Sequence, residues 1–175
     1  MRRLAIACLL ALPSAAGAQA PGRSIHKDKV SGAEVEFVDH PWRPDVFAAF
    51  ESGETGPGGK RPWAFARLTT SWYLSIGGAV LLPGRYVLVL TPKTGELPMM
   101  LELRRGDGRE IFADLTAMAT PAGGETVYKS PAGFATGTEP VPTLDITLAG
   151  WSDGIALTVR YGNRKLTKEL ARAAP

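Results

Sequence analysis

Cysteine is nearly missing from this chain: among 175 residues, only Cys8 carries a thiol. It stands inside an apolar run, Leu4 to Leu12. Arg2 and Arg3 precede that run, and Pro13, Ser14 and a string of small residues follow it. A positive start, a short apolar stretch and small residues form the layout of a secretory signal peptide. Two small-x-small frames could be cut, Ala16-Gly17-Ala18 and Ala18-Gln19-Ala20. Pro21 just past the second frame favours cleavage after Ala18. Cys8 lies too early to be the lipid-bearing residue of a lipoprotein signal. Removal of residues 1–18 therefore predicts a mature chain with no disulfide, no thiolate nucleophile and no cysteine-bound metal.

Long apolar runs are also missing. Leu4 to Leu12 is about half the ~20 residues needed to cross a bilayer, and no later stretch is longer, so no transmembrane anchor is expected. Excess charge of one sign is missing too. The sequence pI is about 9.2, yet Arg2 and Arg3 leave with the signal. Eighteen basic side chains then face seventeen acidic ones. An interspersed, nearly balanced set does not make the concentrated basic face that nucleic-acid phosphates require. One basic cluster remains, Arg160, Arg164, Lys165, Lys168 and Arg172. It reads as a solvated tail, or as a contact for an acidic partner or membrane phosphates.

Catalytic signatures are scarce. The chain has two histidines, His26 and His40, and neither stands in a Glu-x-x-His arrangement. There is no Gly-x-Ser-x-Gly elbow. The run Gly53 to Arg61 superficially resembles a phosphate-binding loop, but Arg61 stands where Ser or Thr should hold magnesium and no buried strand leads in. Glu34 and Glu36 share a strand face and read as a solvated edge. No cofactor and no metal site is expected.

What the chain does have is alternation. From Ala33 to Val38, Glu34 and Glu36 point one way while Val35 and Phe37 point the other, the period of a half-buried strand. Tyr86, Leu88 and Leu90 alternate with Val87 and Val89, so Arg85 to Thr91 should be a central strand covered on both faces. Strands are further expected over 63–70, 72–76, 99–104, 110–118, 126–129 and 144–148; over 110–118 a helix also fits, because Ala113, Leu115, Ala117 and Met118 tolerate it. A last strand, Ile155 to Tyr161, should follow the turn Ser152-Asp153-Gly154. Gly106-Asp107-Gly108 reads as a hairpin turn. A short helix is expected near 45–50, capped by Asp45, with Val46, Ala49 and Phe50 on one face. Residues 52–62 and 130–142, rich in Gly and Pro, read as loops. Two readings fit 164–173: a helix stacking Leu166 on Leu170, or a strand returning from a Gly162-Asn163 turn. The strand is preferred for its first half. The sum is an all-β chain, an antiparallel β-sandwich or partly open barrel of about seven to nine short strands. Residues 19–32 should form a flexible leader and 33–175 a single domain.

The stretch Trp72 to Leu88, with its strand, Gly77-Gly78 turn and Leu82-Pro83-Gly84-Arg85-Tyr86 entry into a core strand, resembles a family of secreted bacterial β-sandwich domains of unknown function. Leu144-Asp145-Ile146-Thr147-Leu148, Trp151 and Ile155 to Val159 are similar to that family's closing hairpin. The resemblance covers about half of the mature chain. The family carries an Arg-x-Gly-Ala-Asn-Glu-type run before the Gly-Gly turn, where this chain reads Arg67-Leu68-Thr69-Thr70-Ser71. The resemblance implies the fold and export, and no activity.

The candidate site is His40, Trp42, Arg43, Trp63 and Arg67. Aromatic faces beside guanidinium groups can hold a sugar, an aromatic or an anion. The competing reading is a packed plug of buried tryptophans with snorkelling arginines. Trp72, Tyr86, Trp151 and Tyr161 read as core aromatics. These features favour an exported, non-catalytic sandwich, periplasmic or secreted, that binds an envelope protein or small ligand. The rivals are a periplasmic hydrolase or carbohydrate-active enzyme, and a structural accessory domain.

Overall fold

Alternation over short, turn-bounded segments forces antiparallel pairing, and that is what the computed structural model contains. It describes residues 23–54 and 61–175. The segment read as a signal peptide and most of the 52–62 loop lie outside the described residues. The elements run β1 (Ile25–Val30), β2 (Ala33–Val38), α1 (Pro44–Ser52), β3 (Trp63–Thr70), β4 (Leu74–Ile76), β5 (Ala79–Leu81), β6 (Gly84–Thr91), β7 (Met100–Arg105), α2 (Arg109–Ala113), β8 (Thr126–Pro131), β9 (Ala135–Trp151) and β10 (Gly154–Arg172). A six-stranded sheet has the order β1-β2-β3-β6-β7-β8, and a four-stranded sheet the order β5-β4-β10-β9.

The two sheets share one interior. Val35, Phe37, Phe65, Leu68, Leu88 and Leu103 face it from the large sheet, and Ile146, Ile155, Leu157, Leu166 and Leu170 from the small one. The edges also approach each other. The Leu148 amide on β9 donates to the Asp28 carboxylate on β1 at 2.7 Å, so a side chain links the two edges where no ladder joins them. The fold is a sandwich curling toward a half-barrel. Central β6 buries both faces, as its pattern requires. Val87 and Val89 form a second small cluster with Val38, Ala64 and Ile111, the last supplied by α2.

β10 is doubled. Nine residues of extended chain span about 30 Å, yet the hydroxyls of Thr158 and Thr167 are 3.2 Å apart. The Arg172 amide likewise reaches the Asp153 carbonyl at 2.5 Å. The chain therefore reverses at Gly162-Asn163. Gly162 has φ 58°, the left-handed conformation that glycine-first hairpin turns demand. The first arm and the start of the second, Arg164 and Lys165, pair with β9, and the end of the second pairs with β4. Residues 164–172 are strand throughout. Leu166 and Leu170 are four apart, a spacing compatible with either period, which is why both readings fit.

Several expectations are corrected. Among the described residues there are ten strand segments, eleven when the two arms of β10 are counted apart, against the about seven to nine expected. Residues 25–30 are not a flexible leader but β1, paired with β2 along its whole length. Lys27 and Lys29 face Glu36 and Glu34 across that ladder, so it is held by charge pairs that carry no hydrophobic signature. Residues 110–118 are not a strand: α2 occupies 109–113, and Asp114 ends it by accepting from the Thr116 amide and hydroxyl at 2.8 and 2.7 Å. Gly106-Asp107-Gly108 consequently leads into a helix, not a hairpin. Residues 135–142 are strand rather than loop. Pro140 and Pro142 are tolerated because β9 is an edge strand, where a missing donor breaks no ladder. In α1, Arg43 rather than Asp45 takes the cap position and Pro44 opens the helix, the turn where a missing N–H costs least. Phe47, not Ala49, joins Val46 and Phe50 in the core. Trp151 is 40% exposed and is no core residue. Tyr86 and Tyr161 are buried, and Trp72 is half-buried against the core.

Candidate functional site

β2 ends at Val38, and the chain then crosses between the sheets. The Trp42 amide donates to the Pro142 carbonyl and the Leu144 amide to the His40 carbonyl, each at 2.8 Å. Pro41 bridges Thr143 on β9. These hydrogen bonds tie one sheet to the other.

This crossing buries His40, which is 3% exposed. Its Nδ1 lies 3.2 Å from Nη1 of Arg23. A guanidinium can only donate, so Nδ1 accepts and a neutral ring carries its proton on Nε2. Burial, and then the Arg23 charge, push the His40 pKa down to about 4, with Asp39 opposing in part. Behind His40 stands Trp63, edge-on at 5.5 Å between ring centroids and 3% exposed. Its Nε1 has no hydrogen-bond partner among the described residues. Tyr161 contacts Trp63 at 5.5 Å and donates its hydroxyl to the Pro41 carbonyl at 2.6 Å. Burial pushes the Tyr161 pKa up to about 12.

Trp42 completes the group. Its indole lies flat on Gly162, where a Cβ would overlap the ring, and meets Tyr161 edge-on at 4.8 Å. His40, Trp42, Trp63 and Tyr161 are therefore one aromatic cluster at one end of the sandwich. A cavity of about 270 Å³ opens beside it, lined by Arg23, His40, Pro41, Arg43, Val46, Thr116, Met118 and Tyr161. Arg43 stands at the rim, with its guanidinium held by Asp45 through two hydrogen bonds of 3.1 and 2.9 Å.

Arg67 is elsewhere. It lies on the outer face of the large sheet, bonded to the Glu36 carboxylate and to the Asp107 carbonyl at 2.9 Å. The Phe112 ring of α2 lies 4.9 Å from its guanidinium. Of the five candidate residues, His40 and Arg43 line the cavity, Trp42 and Trp63 pack around it, and Arg67 does not join them. Sequence reasoning missed Arg23, placed in the leader, and Thr116 and Met118, placed in a strand. It also missed the Tyr161 hydroxyl. No local pattern brings Arg23 to His40; only the β1–β2 pairing does.

The arrangement suits binding better than bond cleavage. His40 has a guanidinium, not a nucleophile, at its acceptor nitrogen, and a pKa near 4 makes it a weak base at neutral pH. Glu36 has one oxygen on Arg67 and the other on Lys27 at 2.5 Å. Burial opposes its charged form, but those hydrogen bonds outweigh burial and hold the carboxyl below the usual range. It cannot serve as a proton-donating acid beside Glu34. Glu102 is likewise buried and is held ionised by Lys129, Arg104 and Thr91. It sits three strands from Glu36, roughly 14 Å at ~4.8 Å per strand, beyond the ~5–9.5 Å that glycoside-cleaving carboxylates need. The basic residues of β10 are dispersed. Arg164 pairs with Glu51 at 2.7 Å, Arg160 with Asp145 at 3.8 Å, and Lys168 reaches Ser130. Among the described residues, no three His, Cys, Asp or Glu side chains group to hold a metal, and no helix is long and apolar enough to cross a membrane.

The fold is thus an all-β, curled antiparallel sandwich with a polar-lined cavity beside His40 at its aromatic end and a second cavity on the other side of Trp42, lined by Phe47, Glu51, Asn163 and Arg164. Comparison with protein-family models, with curated proteins and with solved structures finds no match to this chain.

Proposed function

We propose that this is an exported, non-catalytic β-sandwich of the bacterial cell envelope that binds one small ligand in the cavity beside His40. The observation that carries the reading is the cavity itself. It joins residues from the leader, the β2–α1 crossing, α1, the 114–119 turn region and β10, with a neutral histidine, a tyrosine hydroxyl and guanidinium groups on a partly apolar wall. Convergence of polar groups on an apolar recess is the usual form of a small-molecule site. Export is supported by the layout of residues 1–18. The resemblance to secreted sandwiches of unknown function points the same way.

The test is a thermal-shift screen of the chain beginning at Gln19 against sugars, amino acids, organic acids, phosphate and divalent metals. A ligand at a hundredfold excess over its Kd adds about 2.7 kcal/mol, worth roughly 5–10 °C at this chain length. Val46→Trp, which fills the cavity, should abolish that shift. A shift that survives Val46→Trp, or no shift with any compound, would overturn the reading. A hydrolase assay of wild type and His40→Ala on a broad substrate panel checks the enzymatic alternative; activity lost on substitution would install it.

A further inference from the structure

We infer that the ligand of this cavity is a small monocarboxylate with a short apolar body, held by Arg23. This rests on the reading of the cavity as a binding site and names its chemistry.

The argument begins with the hydrogen bonds of Arg23. A guanidinium has five N–H donors. Nη1 donates to the Leu115 carbonyl at 2.9 Å and faces His40 Nδ1 at 3.2 Å. Among the described residues, its Nε and Nη2 find no acceptor and no carboxylate lies within ion-pair distance. Nε and Nη2 form the edge that meets a carboxylate with two parallel bonds. Nη1 is fixed by two protein acceptors, so the free edge is already oriented before a ligand arrives.

The rest of the lining sets the charge and size. Arg43, the second cation, is neutralised by its fork onto Asp45, and His40 is uncharged. Among the described residues Arg23 is thus the cavity's one cation without a carboxylate in contact, and Asp114 and Asp39 nearby partly offset its charge, which matches a monoanion better than a dianion. Val46, Met118 and Pro41 supply an apolar wall. The Tyr161 hydroxyl spends its proton on Pro41 and keeps a lone pair for a ligand donor. A volume of about 270 Å³ suits a small organic molecule. Arg23 follows the expected cleavage point by only a few residues, so the anion-reading group comes from the start of the mature chain.

The experiment is isothermal titration of the chain beginning at Gln19 with sodium butyrate, butyramide and inorganic phosphate. Methyl NMR of Met118 reports where each probe goes. Butyrate should bind and shift Met118, whereas butyramide, its uncharged near-isostere, should bind at least tenfold more weakly. Arg23→Gln should weaken butyrate at least tenfold, and Arg23→Lys, which keeps the charge but loses the fork, by an intermediate factor. Lys165→Gln, outside the cavity lining, should leave butyrate binding unchanged. Equal binding of butyrate and butyramide, or full butyrate affinity in folded Arg23→Gln, overturns the carboxylate assignment while leaving the cavity as a site. Tighter binding of phosphate than butyrate also overturns it. If Arg23→Gln does not fold, the butyrate-to-butyramide ratio in the wild type decides. Absence of any Met118 shift, even with compounds that stabilise the protein, counts against the cavity itself.

Discussion

The two ends of the sandwich use the same device with different results. At each end a tryptophan indole lies on a glycine with positive φ: Trp42 on Gly162 (φ 58°) and Trp72 on Gly32 (φ 80°). At the first end the indole is sealed by Tyr161 and by Phe47, whose ring centroid is 5.4 Å away, and His40 and Trp63 pack behind. At the other end Trp72 is only half-buried, and the Arg172 guanidinium stacks over it at 4.5 Å. Trp151 nearby is 40% exposed. An aromatic on a glycine closes an end of the barrel in both cases. A cavity adjoins each plug: the one beside Gly32, about 360 Å³, is lined by Lys29, Glu34, Thr69 and Ser71, and only the one at the first end has a buried histidine and a tyrosine in its wall.

The comparison can be broken most sharply at the glycines. Gly162→Val should cost about 4 kcal/mol, combining left-handed strain with overpacking against a sealed ring. Gly32→Val should cost about half as much, because Trp72 can swing into solvent. Urea midpoints measure both, and equal losses would mean that the two ends are equally closed. Next in size is a pH effect confined to the cavity end. The folded His40 pKa, about 4, lies below the ordinary value of 6.5, so the unfolded chain takes up the proton first. That stability is complete above pH 6.5 and is lost as the pH falls toward 4, by about 3 kcal/mol. Glu36 and Glu102, held below the carboxylate range, add their loss only at lower pH. His40→Gln should flatten the urea midpoint between pH 6.5 and 4.5; an unchanged slope would place the acid sensitivity elsewhere. Tyr161→Phe removes one hydrogen bond and should cost about 1 kcal/mol, read by the same midpoint. At the open end, Trp151→Ser should change stability by less than about 0.5 kcal/mol. A larger loss would show that this end is closed by more than Trp72.

Much of the strand framework was legible because burial imposes a period on side chains. β6 showed it on both faces, and Ile155 to Tyr161 alternated cleanly because one face meets the core and the other water. β1 was invisible for the opposite reason. His26, Asp28 and Val30 line its inner side, and its outer side is lysine, so charge pairs replace greasy contacts. α2 fits helix and strand alike in the sequence, because Ile111 and Phe112 are adjacent and one turn of helix has no room to display its period. The candidate site was legible in part. His40, Trp42 and Arg43 stand together in the chain, and Trp63 reaches them through the β2–β3 pairing. Arg67 belongs with Glu36 because it faces out of its strand while Phe65 and Leu68 face in, a distinction blurred by the irregularity between Ala64 and Ala66.

The sequence by itself determined an all-β fold: its alternation, turn glycines and placed prolines are local demands that each segment states alone. Only the tertiary structure decided that Arg23 meets His40, that Gly162 receives Trp42, and that Arg67 is drawn away to Glu36. Those contacts join residues far apart in the chain, and their energies depend on which groups burial leaves without water. No local pattern records that until the sheets have closed.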